Sequence, residues 1–332
     1  MDISELNFRR LRPLRATAAD RDRNAETTLS AADFILPFFV VEGTGIDHPL
    51  PTLTGVSHLS IDRLVEAARK ALDAGVDKVL LFGVIDSSLK GPGAPEAVRR
   101  DSLVARAVAG LKKALPSLTV MTDVCVCAYT DHGHCGVLQG HEIDNDASLP
   151  LLAEMALGHA LAGADFVAPS AMMDGQVAAI RARLDEEGLA RTKILGYSAK
   201  YASKLYGPFR DAAASAPSFG DRKSYQMDPR SGTQGVDEAA ADLEEGADWL
   251  MVKPSTFYLD VVAAIKTRFP QVPLAAYHTS GEYMMVRHGA AAGLFSYEEG
   301  LSENFYAIKR AGAGFIITYA AVDAARLLGS SA

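Results

Sequence analysis

Three cysteines are the residues whose type and spacing most directly indicate chemistry in this sequence. Cys125, Cys127 and Cys135 are its only cysteines and lie within eleven positions, an odd and clustered set that makes a poor disulfide framework. Cys125 and Cys127 are two apart on a predicted strand, so their thiols point the same way, and Cys135 returns after a turn at Gly133. Three thiolates with an open fourth position describe a catalytic zinc site.

The histidines beside these cysteines leave a second interpretation open. His132 or His134 could supply a fourth ligand, which would close the coordination sphere and make the site structural rather than catalytic. In both interpretations the soft thiolate ligands favour zinc over magnesium or manganese. The sequence therefore predicts a thiolate zinc site and leaves its fourth ligand undecided.

Two lysines stand where predicted buried strands end. Pro254 biases Lys253 toward an extended backbone, so its amine emerges at a strand terminus. Apolar walls and a neighbouring cation would lower the pKa of that amine toward neutrality, making it a nucleophile that forms an imine with a ketone. Lys200, one strand earlier, is the obvious neighbouring cation. The alternative is that Lys253 pairs with an acid at the mouth of the fold.

Eight short apolar runs alternate with helical patterns and would position these residues. The runs are continuous rather than alternating, which indicates strands covered on both faces. They lie at 34–41, 78–84, 118–126, 165–169, 192–197, 249–253, 273–277 and 315–319, with helical patterns at 60–74, 148–161, 237–245 and 302–310. This alternation predicts an α/β protein with a (β/α)8 TIM barrel over residues 31–332. The alternative, an open doubly wound sheet, lacks a G-x-G-x-x-G motif after its first strand.

The barrel prediction has a consequence that can be tested on the sequence. Closed barrels carry their chemistry at the C-terminal ends of the strands, and reactive residue types occur at those positions here. In chain order they are Asp123, Cys125, Cys127, Ser170, Tyr197, Lys200, Lys253, His278, Ser280 and Tyr319. We therefore expect these side chains to meet at one mouth.

A long connection follows the fifth predicted strand, at about residues 198–235. Between Tyr197 and Arg230 it carries six cations, three acids and, counting Tyr197, six aromatic residues. Long loops in compact domains are usually functional lids or disordered, and the aromatic residues disfavour disorder. We predict a cationic lid that captures a carboxylate.

Composition and charge exclude several function classes. The chain has 332 residues and a net charge of −8, which gives no support for nucleic-acid binding. No apolar run reaches the ~18 residues that span a bilayer, and the N-terminus lacks the apolar core of a secretory signal. A cytoplasmic protein without a membrane partner is expected.

Together these segments resemble the porphobilinogen synthase (5-aminolevulinate dehydratase) family. The resemblance runs from about Leu11 to the C-terminus and includes the order and spacing of the cysteine segment and of the motifs at 197–203, 206–210, 221–226, 251–254 and 277–283. It implies condensation of two 5-aminolevulinate molecules to porphobilinogen with loss of two waters, an early step of tetrapyrrole biosynthesis. The cysteines match the zinc-dependent branch of the family.

The resemblance also implies roles for individual residues. Lys253 matches the lysine that forms an imine with the first substrate, Lys200 matches the one that forms an imine with the second, and Asp123 matches an aspartate near the substrate amine. The residues implied to bind substrate carboxylates are Ser280 and Tyr319 for the first substrate and Arg210, Arg222 and Gln226 for the second.

A further metal and an assembly are implied in the same way. Glu238 matches the glutamate of an allosteric magnesium site in many bacterial members; its alternative is a solvated glutamate in the first turn of a helix. The family forms homo-octamers whose N-terminal arms wrap neighbouring barrels, and the arginine-rich residues 1–30 would be such an arm or, alternatively, a disordered tail.

Two other functions compete with this interpretation. A class I Schiff-base aldolase acting on sugar phosphates needs one imine lysine and no zinc, so it would leave the cysteine cluster unexplained. A non-catalytic zinc-binding barrel needs no lysine in a pocket. The cysteines and the lysines therefore discriminate between the candidates.

Overall fold

Eight apolar segments of the chain form parallel strands, as their continuous hydrophobic character predicts. The computed structural model of the protein describes residues 7–330. The strands are β1 (Phe34–Val40), β2 (Lys78–Gly83), β3 (Thr119–Val124), β4 (Phe166–Pro169), β5 (Lys193–Lys200), β6 (Trp249–Lys253), β7 (Leu274–His278) and β8 (Phe315–Thr318). All eight predicted strands are confirmed, and no end differs from the prediction by more than three residues.

The sheet closes on itself. Each strand pairs with the next along the chain, and β8 pairs in parallel with β1 through Phe34 opposite Ile316 and Ile35 opposite Ile317. The four residues of this closing contact are buried. The pairing of β8 with β1 leaves the barrel without an open sheet edge. The (β/α)8 barrel is therefore confirmed, and the doubly wound alternative is wrong.

Helices pack around the barrel between successive strands. The α-helices within residues 7–330 are α1 (Ala18–Asn24), α2 (Ile61–Asp73), α3 (Leu103–Ala114), α4 (Asn145–Leu161), α5 (Gln176–Glu186), α6 (Gly207–Ala212), α7 (Thr233–Glu244), α8 (Leu259–Arg268), α9 (Ser280–Ala291), α10 (Tyr297–Arg310) and α11 (Ala321–Ser330). The loops also contain two short antiparallel pairs of β-strands, which are Asp47–Pro49 with Ser57–Leu59 and Val137–Gln139 with Glu142–Asp144. No helix of residues 7–330 is long and apolar enough to cross a membrane.

Helix α4 begins earlier than predicted. We expected it to start at Ser148, but Asp144 is the capping residue, because its carboxylate accepts a hydrogen bond from the backbone of Ala147. Ser148 lies inside the helix, where its hydroxyl donates to the carbonyl of Asp144 and accepts from the backbone of Val137. The hydroxyl thus ties the helix to the loop that follows the cysteines.

A bulge in β5 sets the register of the barrel mouth. Leu250 of β6 lies opposite Gly196, whereas Val252 lies opposite Ala199, so β5 holds one extra residue between these pairs. Bulges re-aim side chains and are frequent beside active sites. After the bulge the register places Lys253 directly opposite Lys200.

The N-terminal segment makes little contact with the barrel of its own chain. Residues 1–6 of the predicted arm lie outside the described residues. A 3-10 turn at Arg12–Arg15 and helix α1 contain no buried residue, although α1 is well capped by Thr17. Phe8, Leu11 and Leu14 are exposed on this segment.

Candidate functional site

Lys253 lies in an aromatic chamber at the C-terminal mouth of the barrel. Its side chain is buried with 5% exposure, so the prediction that it sits in a pocket at a strand end is confirmed. The ammonium nitrogen lies 4.2–5.3 Å from the centres of four rings, those of Tyr277, Phe209, Tyr197 and Tyr206. Phe209 comes from the lid, so the lid completes the chamber. No acid forms an ion pair with Lys253 within the described residues.

Burial changes the acidity of this amine. Desolvation and the nearby positive charge of Lys200 together lower the pKa of Lys253 to about 7, against the opposing charge of Asp123. At neutral pH Lys253 is then a free amine in a large fraction of the protein molecules. A free amine in an apolar chamber is the nucleophile that imine formation requires.

Lys200 provides a second amine at the same mouth. It ends β5 opposite Lys253, and both ammonium groups lie near one ring, that of Tyr197, at 5.7 Å and 5.1 Å from its centre. The Lys200 ammonium donates a hydrogen bond to the carbonyl of Ser170 at the end of β4. Two adjacent lysines allow two carbonyl compounds to be held side by side.

Asp123 supplies a carboxyl group that lies within electrostatic range of both lysines and of Cys135. Its Oδ1 atom is buried without a hydrogen-bond partner in residues 7–330. Burial raises the pKa of Asp123 to about 6, against the opposing effects of a hydrogen bond from Ser170 and the charges of Lys200 and Lys253. A carboxyl group with this pKa can exchange protons near neutral pH.

The three cysteines converge as their spacing predicts. Their sulfur atoms lie within 4.8 Å of one another, all three residues are buried, and the Sγ atoms of Cys125 and Cys127 are 3.3 Å apart. Hydrogen bonds from Cys125 and Cys127 lower the pKa of Cys135 well below its ordinary value, so the cluster holds a thiolate. Three converging sulfur ligands fit a soft metal ion such as zinc.

The two histidines of this segment point elsewhere. Within residues 7–330 the cysteines alone form a group of three or more His, Cys, Asp or Glu ligand atoms this close together. The ring of His134 lies 3.2 Å from the Tyr225 hydroxyl through Nδ1 and 3.1 Å from the Phe219 carbonyl through Nε2. The backbone N–H of His134 donates to Nδ1 of His132. The geometry favours the three-ligand arrangement with an open position.

The lid brings together cationic and amide groups, several of whose atoms have no hydrogen-bond partner in residues 7–330. Nε of Arg210, Nε of Arg222 and both amide atoms of Gln226 are buried without hydrogen-bond partners in the described residues. Burial lowers the pKa of Arg222, but the thiolates of Cys135 and Cys127 outweigh it and raise that pKa, so the guanidinium stays charged. Buried donors without partners are costly unless a ligand satisfies them. A carboxylate is the ligand that suits this set.

The lid is also joined to the cysteine loop. Ser218 donates its backbone N–H to the carbonyl of His132 at 2.9 Å, and Arg222 donates to the carbonyl of Gly133 at 2.9 Å. Gly133 has a φ of +71°, and a Cβ atom there would lie 2.3 Å from the carbonyl oxygen of Ala216. A side chain at position 133 would therefore push the lid from the cysteine loop.

Ser280 and Tyr319 lie just after the C-terminal ends of β7 and β8. Both are buried, and the Ser280 hydroxyl accepts from the backbone of Phe209 at 3.0 Å and donates to the carbonyl of Leu205 at 3.3 Å. The Tyr319 hydroxyl is 3.3 Å from that of Tyr277. The Ser280 hydroxyl therefore contacts the lid, and the Tyr319 hydroxyl lies beside Tyr277 of the lysine chamber.

Glu238 lies outside the lysine chamber, on α7. It borders a cavity of about 310 Å³ that Tyr197 and Ser198 of β5 also line. Burial raises the pKa of Glu238, as do the charges of nearby carboxylates. The other carboxylates of this cavity are Asp174, Asp237, Asp242 and Glu245. The structure therefore places Glu238 in an acidic cavity behind the strand that carries Lys200.

Sequence reasoning missed two features of this site. The aromatic chamber was not predicted because Tyr206 and Phe209 of the lid lie far along the chain from Tyr277 of β7. Glu282, which is buried and hydrogen-bonded beside the chamber, was also missed. A signal for Glu282 was present, since Thr279 and Glu282 have the spacing of a capping box.

The chain is similar to known proteins along nearly its whole length. Residues 8–327 match the family described as Delta-aminolevulinic acid dehydratase. The delta-aminolevulinic acid dehydratase of Halalkalibacterium halodurans is 45% identical over 324 residues, covering 98% of each chain. That of Bacillus subtilis is 45% identical over 322 residues, covering 97% of this chain and 98% of that protein.

A solved structure is similar as well. It is the crystal structure of delta-aminolevulinic acid dehydratase (porphobilinogen synthase) from Toxoplasma gondii ME49 in complex with the reaction product porphobilinogen. The two share 41% sequence identity with a TM-score of 0.94, and the match covers 96% of this chain and 91% of that one.

Replacing Lys200 by methionine tests the coupling between the two lysines. Lys200→Met removes a positive charge that lowers the pKa of Lys253, so the pH at which half of Lys253 reacts should rise from about 7 by about one pH unit. The measurement is the pH dependence of borohydride trapping of acetone on Lys253, followed by peptide mass spectrometry.

Lys193→Met is the matched control, because Lys193 lies exposed at the opposite end of the same strand. In the Lys193→Met variant the pH at which half of Lys253 is trapped should equal that of the unmodified protein. An unchanged midpoint in Lys200→Met would show that the two amines are not electrostatically coupled.

Proposed function

Because the chain belongs to the delta-aminolevulinic acid dehydratase family, we propose that its barrel mouth condenses two molecules of 5-aminolevulinate to porphobilinogen with loss of two waters. The protein is then a lyase of tetrapyrrole biosynthesis. The observation that carries this proposal is the pair of adjacent buried lysines, Lys253 and Lys200, beside three converging thiols.

The two lysines act on the ketones of the two substrates. The neutral amine of Lys253 attacks the ketone of the first 5-aminolevulinate, and loss of one water from the adduct leaves an imine. Lys200 forms the corresponding imine with the second molecule. Holding both substrates at one mouth removes much of the entropic cost of joining them, on the order of 7–11 kcal/mol in favourable cases. In this proposal Asp123 takes up and returns protons near the substrate amine, and its raised pKa supports that role.

Two separate groups of residues bind the substrate carboxylates. Ser280 and Tyr319 hold that of the first substrate, beside Lys253. The lid residues Arg210, Arg222 and Gln226 hold that of the second, and their buried unpartnered atoms support this role. Since the same lid contributes Phe209 to the lysine chamber, closing the lid binds the second carboxylate and excludes water from the imines in one movement.

Cys125, Cys127 and Cys135 hold a catalytic zinc ion in this proposal. The soft donor set, its burial and its missing fourth ligand fit that ion. When bound, zinc supplies Lewis-acid chemistry that polarises a carbonyl or lowers the pKa of water. Arg222 lies close enough to Cys135 to help lower its pKa, which favours the thiolate form of that ligand.

Glu238 binds an allosteric magnesium ion in this proposal. Magnesium usually retains several waters and uses few carboxylates, and the acidic cavity around Glu238 has room for a hydrated ion. The carboxylates that surround Glu238 would favour a divalent cation. Magnesium there would act through β5, which lines the cavity and carries Lys200.

The N-terminal arm contributes to a homo-octamer in this proposal. Residues 7–30 expose Phe8, Leu11 and Leu14, and neither Arg12–Arg15 nor α1 buries a residue on its own barrel. Exposed apolar side chains on a short segment with capped helical structure suit contact with another subunit. The cytoplasm is the proposed location.

Cys125→Ala tests the reaction and its metal together. Loss of one ligand should lower the zinc content and should reduce porphobilinogen formation from 5-aminolevulinate by at least about 100-fold. The measurements are elemental analysis and a colorimetric assay for porphobilinogen. In the unmodified protein a chelator should abolish the activity and added zinc should restore it.

The same assay separates the competing functions. A class I aldolase would be indifferent to the chelator, and a non-catalytic zinc-binding barrel would bind zinc without producing porphobilinogen. Full activity in metal-free Cys125→Ala protein would reject a catalytic zinc.

Glu238→Gln tests the magnesium site. The substitution keeps the shape of the side chain and removes its charge, so stimulation of porphobilinogen formation by magnesium should be lost while the zinc content stays the same. Glu244→Gln, exposed on the same helix and outside the cavity, is the control and should retain stimulation. Equal stimulation in both variants would contradict the assignment.

Leu14→Asp tests the role of the arm in assembly. A charge at this exposed apolar position should disrupt contact with a neighbouring subunit, so the molar mass measured by light scattering should fall below that of the octamer. Leu294→Asp changes an even more exposed leucine on the barrel and should leave the mass unaltered. An octamer in the Leu14→Asp variant would argue against the arm.

A further inference from the structure

The Glu282 carboxylate joins two chain segments at the barrel mouth. Glu282 is 2% exposed and lies in the first turn of α9. Its Oε1 atom accepts hydrogen bonds from the backbone of Ser255 at 3.0 Å, the hydroxyl of Ser255 at 3.1 Å and the backbone of Thr256. Its Oε2 atom accepts from the backbone of Thr279 at 2.6 Å and from the hydroxyl of Thr279 at 2.7 Å.

Each carboxylate oxygen of Glu282 therefore accepts hydrogen bonds from one segment only, Oε1 from Ser255 and Thr256 and Oε2 from Thr279. The bonds to Thr279 form an ordinary capping box, which serves only the start of its own helix. The bonds to Ser255 and Thr256 are additional, because these residues follow β6 and belong to a different loop. Hydrogen bonds to a buried carboxylate are among the stronger ones in proteins, and losing them leaves polar groups unsatisfied.

The two segments carry the groups that hold the two ends of the first substrate. Ser255 is two residues after Lys253, which binds the ketone, and Thr279 directly precedes Ser280, which binds the carboxylate. The lid reinforces this connection, since Phe209 contacts the Lys253 ammonium with its ring and donates its backbone N–H to Ser280. The distance between imine and carboxylate groups thus depends on a bridge that includes Glu282.

We propose that Glu282 is a positioning residue that sets the separation between the Lys253 amine and the Ser280 hydroxyl, and thereby selects 4-oxo acids over longer oxo acids. This inference rests on the proposed roles of Lys253 and Ser280. Displacing either anchor by about 1 Å is enough to change the reactivity of a bound ketone strongly. Discrimination against one extra methylene group is worth about 10–200-fold in a well-formed pocket.

Imine trapping with two oxo acids measures this selection. The unmodified protein is incubated with 4-oxopentanoate or 5-oxohexanoate and borohydride, and the adduct on Lys253 is quantified by peptide mass spectrometry. The protein should prefer 4-oxopentanoate. Glu282→Asp is too short to reach both segments, and Glu282→Gln places an amide donor against existing donors, so in both variants the preference should fall by about tenfold or more.

The ratio of the two adducts distinguishes positioning from a general loss of stability. A purely structural role would lower both yields by the same factor and would leave the ratio unchanged, which would overturn the proposal. Glu299→Gln is the matched control: Glu299 forms the same capping box with Ser296 on α10 and is remote from Lys253 in the chain. This variant should keep the ratio of the unmodified protein.

Ser255→Ala keeps the experiment decisive if the Glu282 variants fold poorly. It removes one hydroxyl bond to Glu282 and keeps the carboxylate, so a smaller but measurable fall in the ratio is expected. An unchanged ratio in Ser255→Ala and in every Glu282 variant that folds would overturn the inference. Absence of any adduct on Lys253 in the unmodified protein would instead refute the proposed function.

Discussion

The burial of the Lys253 ammonium is the constraint on which the rest of the site depends. An isolated charge in an apolar chamber is costly, and the cost falls when the group releases its proton. Three parts of the fold keep the Lys253 ammonium buried and its pKa low. Barrel closure brings β5 and β6 into register, the bulge in β5 sets Lys200 opposite Lys253, and the lid covers the amine with Phe209. A lysine that was exposed to solvent at an uncovered barrel mouth would keep its ordinary pKa and would be a poor nucleophile.

The lid and the cysteine loop behave as one structural unit. Arg222 donates to the backbone of the cysteine loop and shares its electrostatic environment, since the thiolates raise the pKa of Arg222 and Arg222 lowers the pKa of Cys135. Each charge therefore stabilises the other in the form that its role requires. A lid held in this way places the Arg222 guanidinium beside the three thiols, so in the proposed function the carboxylate of the second substrate and the metal ion share one pocket.

The sequence predicted those parts of the structure that depend on local pattern. Continuous apolar runs identified all eight strands, and the spacing of Cys125, Cys127 and Cys135 predicted their convergence. The bulge at 197–198 could not be predicted, because strand register depends on the partner strand. The start of α4 was placed too late, because Asp144 competed with Ser148 as the capping residue. The capping box at Thr279 indicated a local contact of Glu282 but not its second one, which joins residues far apart in the chain.

Burial also brings the pKa values of Asp123 and Lys253 close together. Desolvation penalises the charged form of each, so it raises the pKa of the acid and lowers that of the amine, bringing them to about 6 and about 7. The attraction between the two charges acts in the opposite direction and separates the two pKa values, but burial outweighs it here. The two pKa values then lie close together, so moving a proton between such groups costs little free energy. In water the same two groups would differ by more than six pH units, about 9 kcal/mol. The closed chamber thus brings together the pKa values of a carboxyl group and an amine that would both be charged in neutral water.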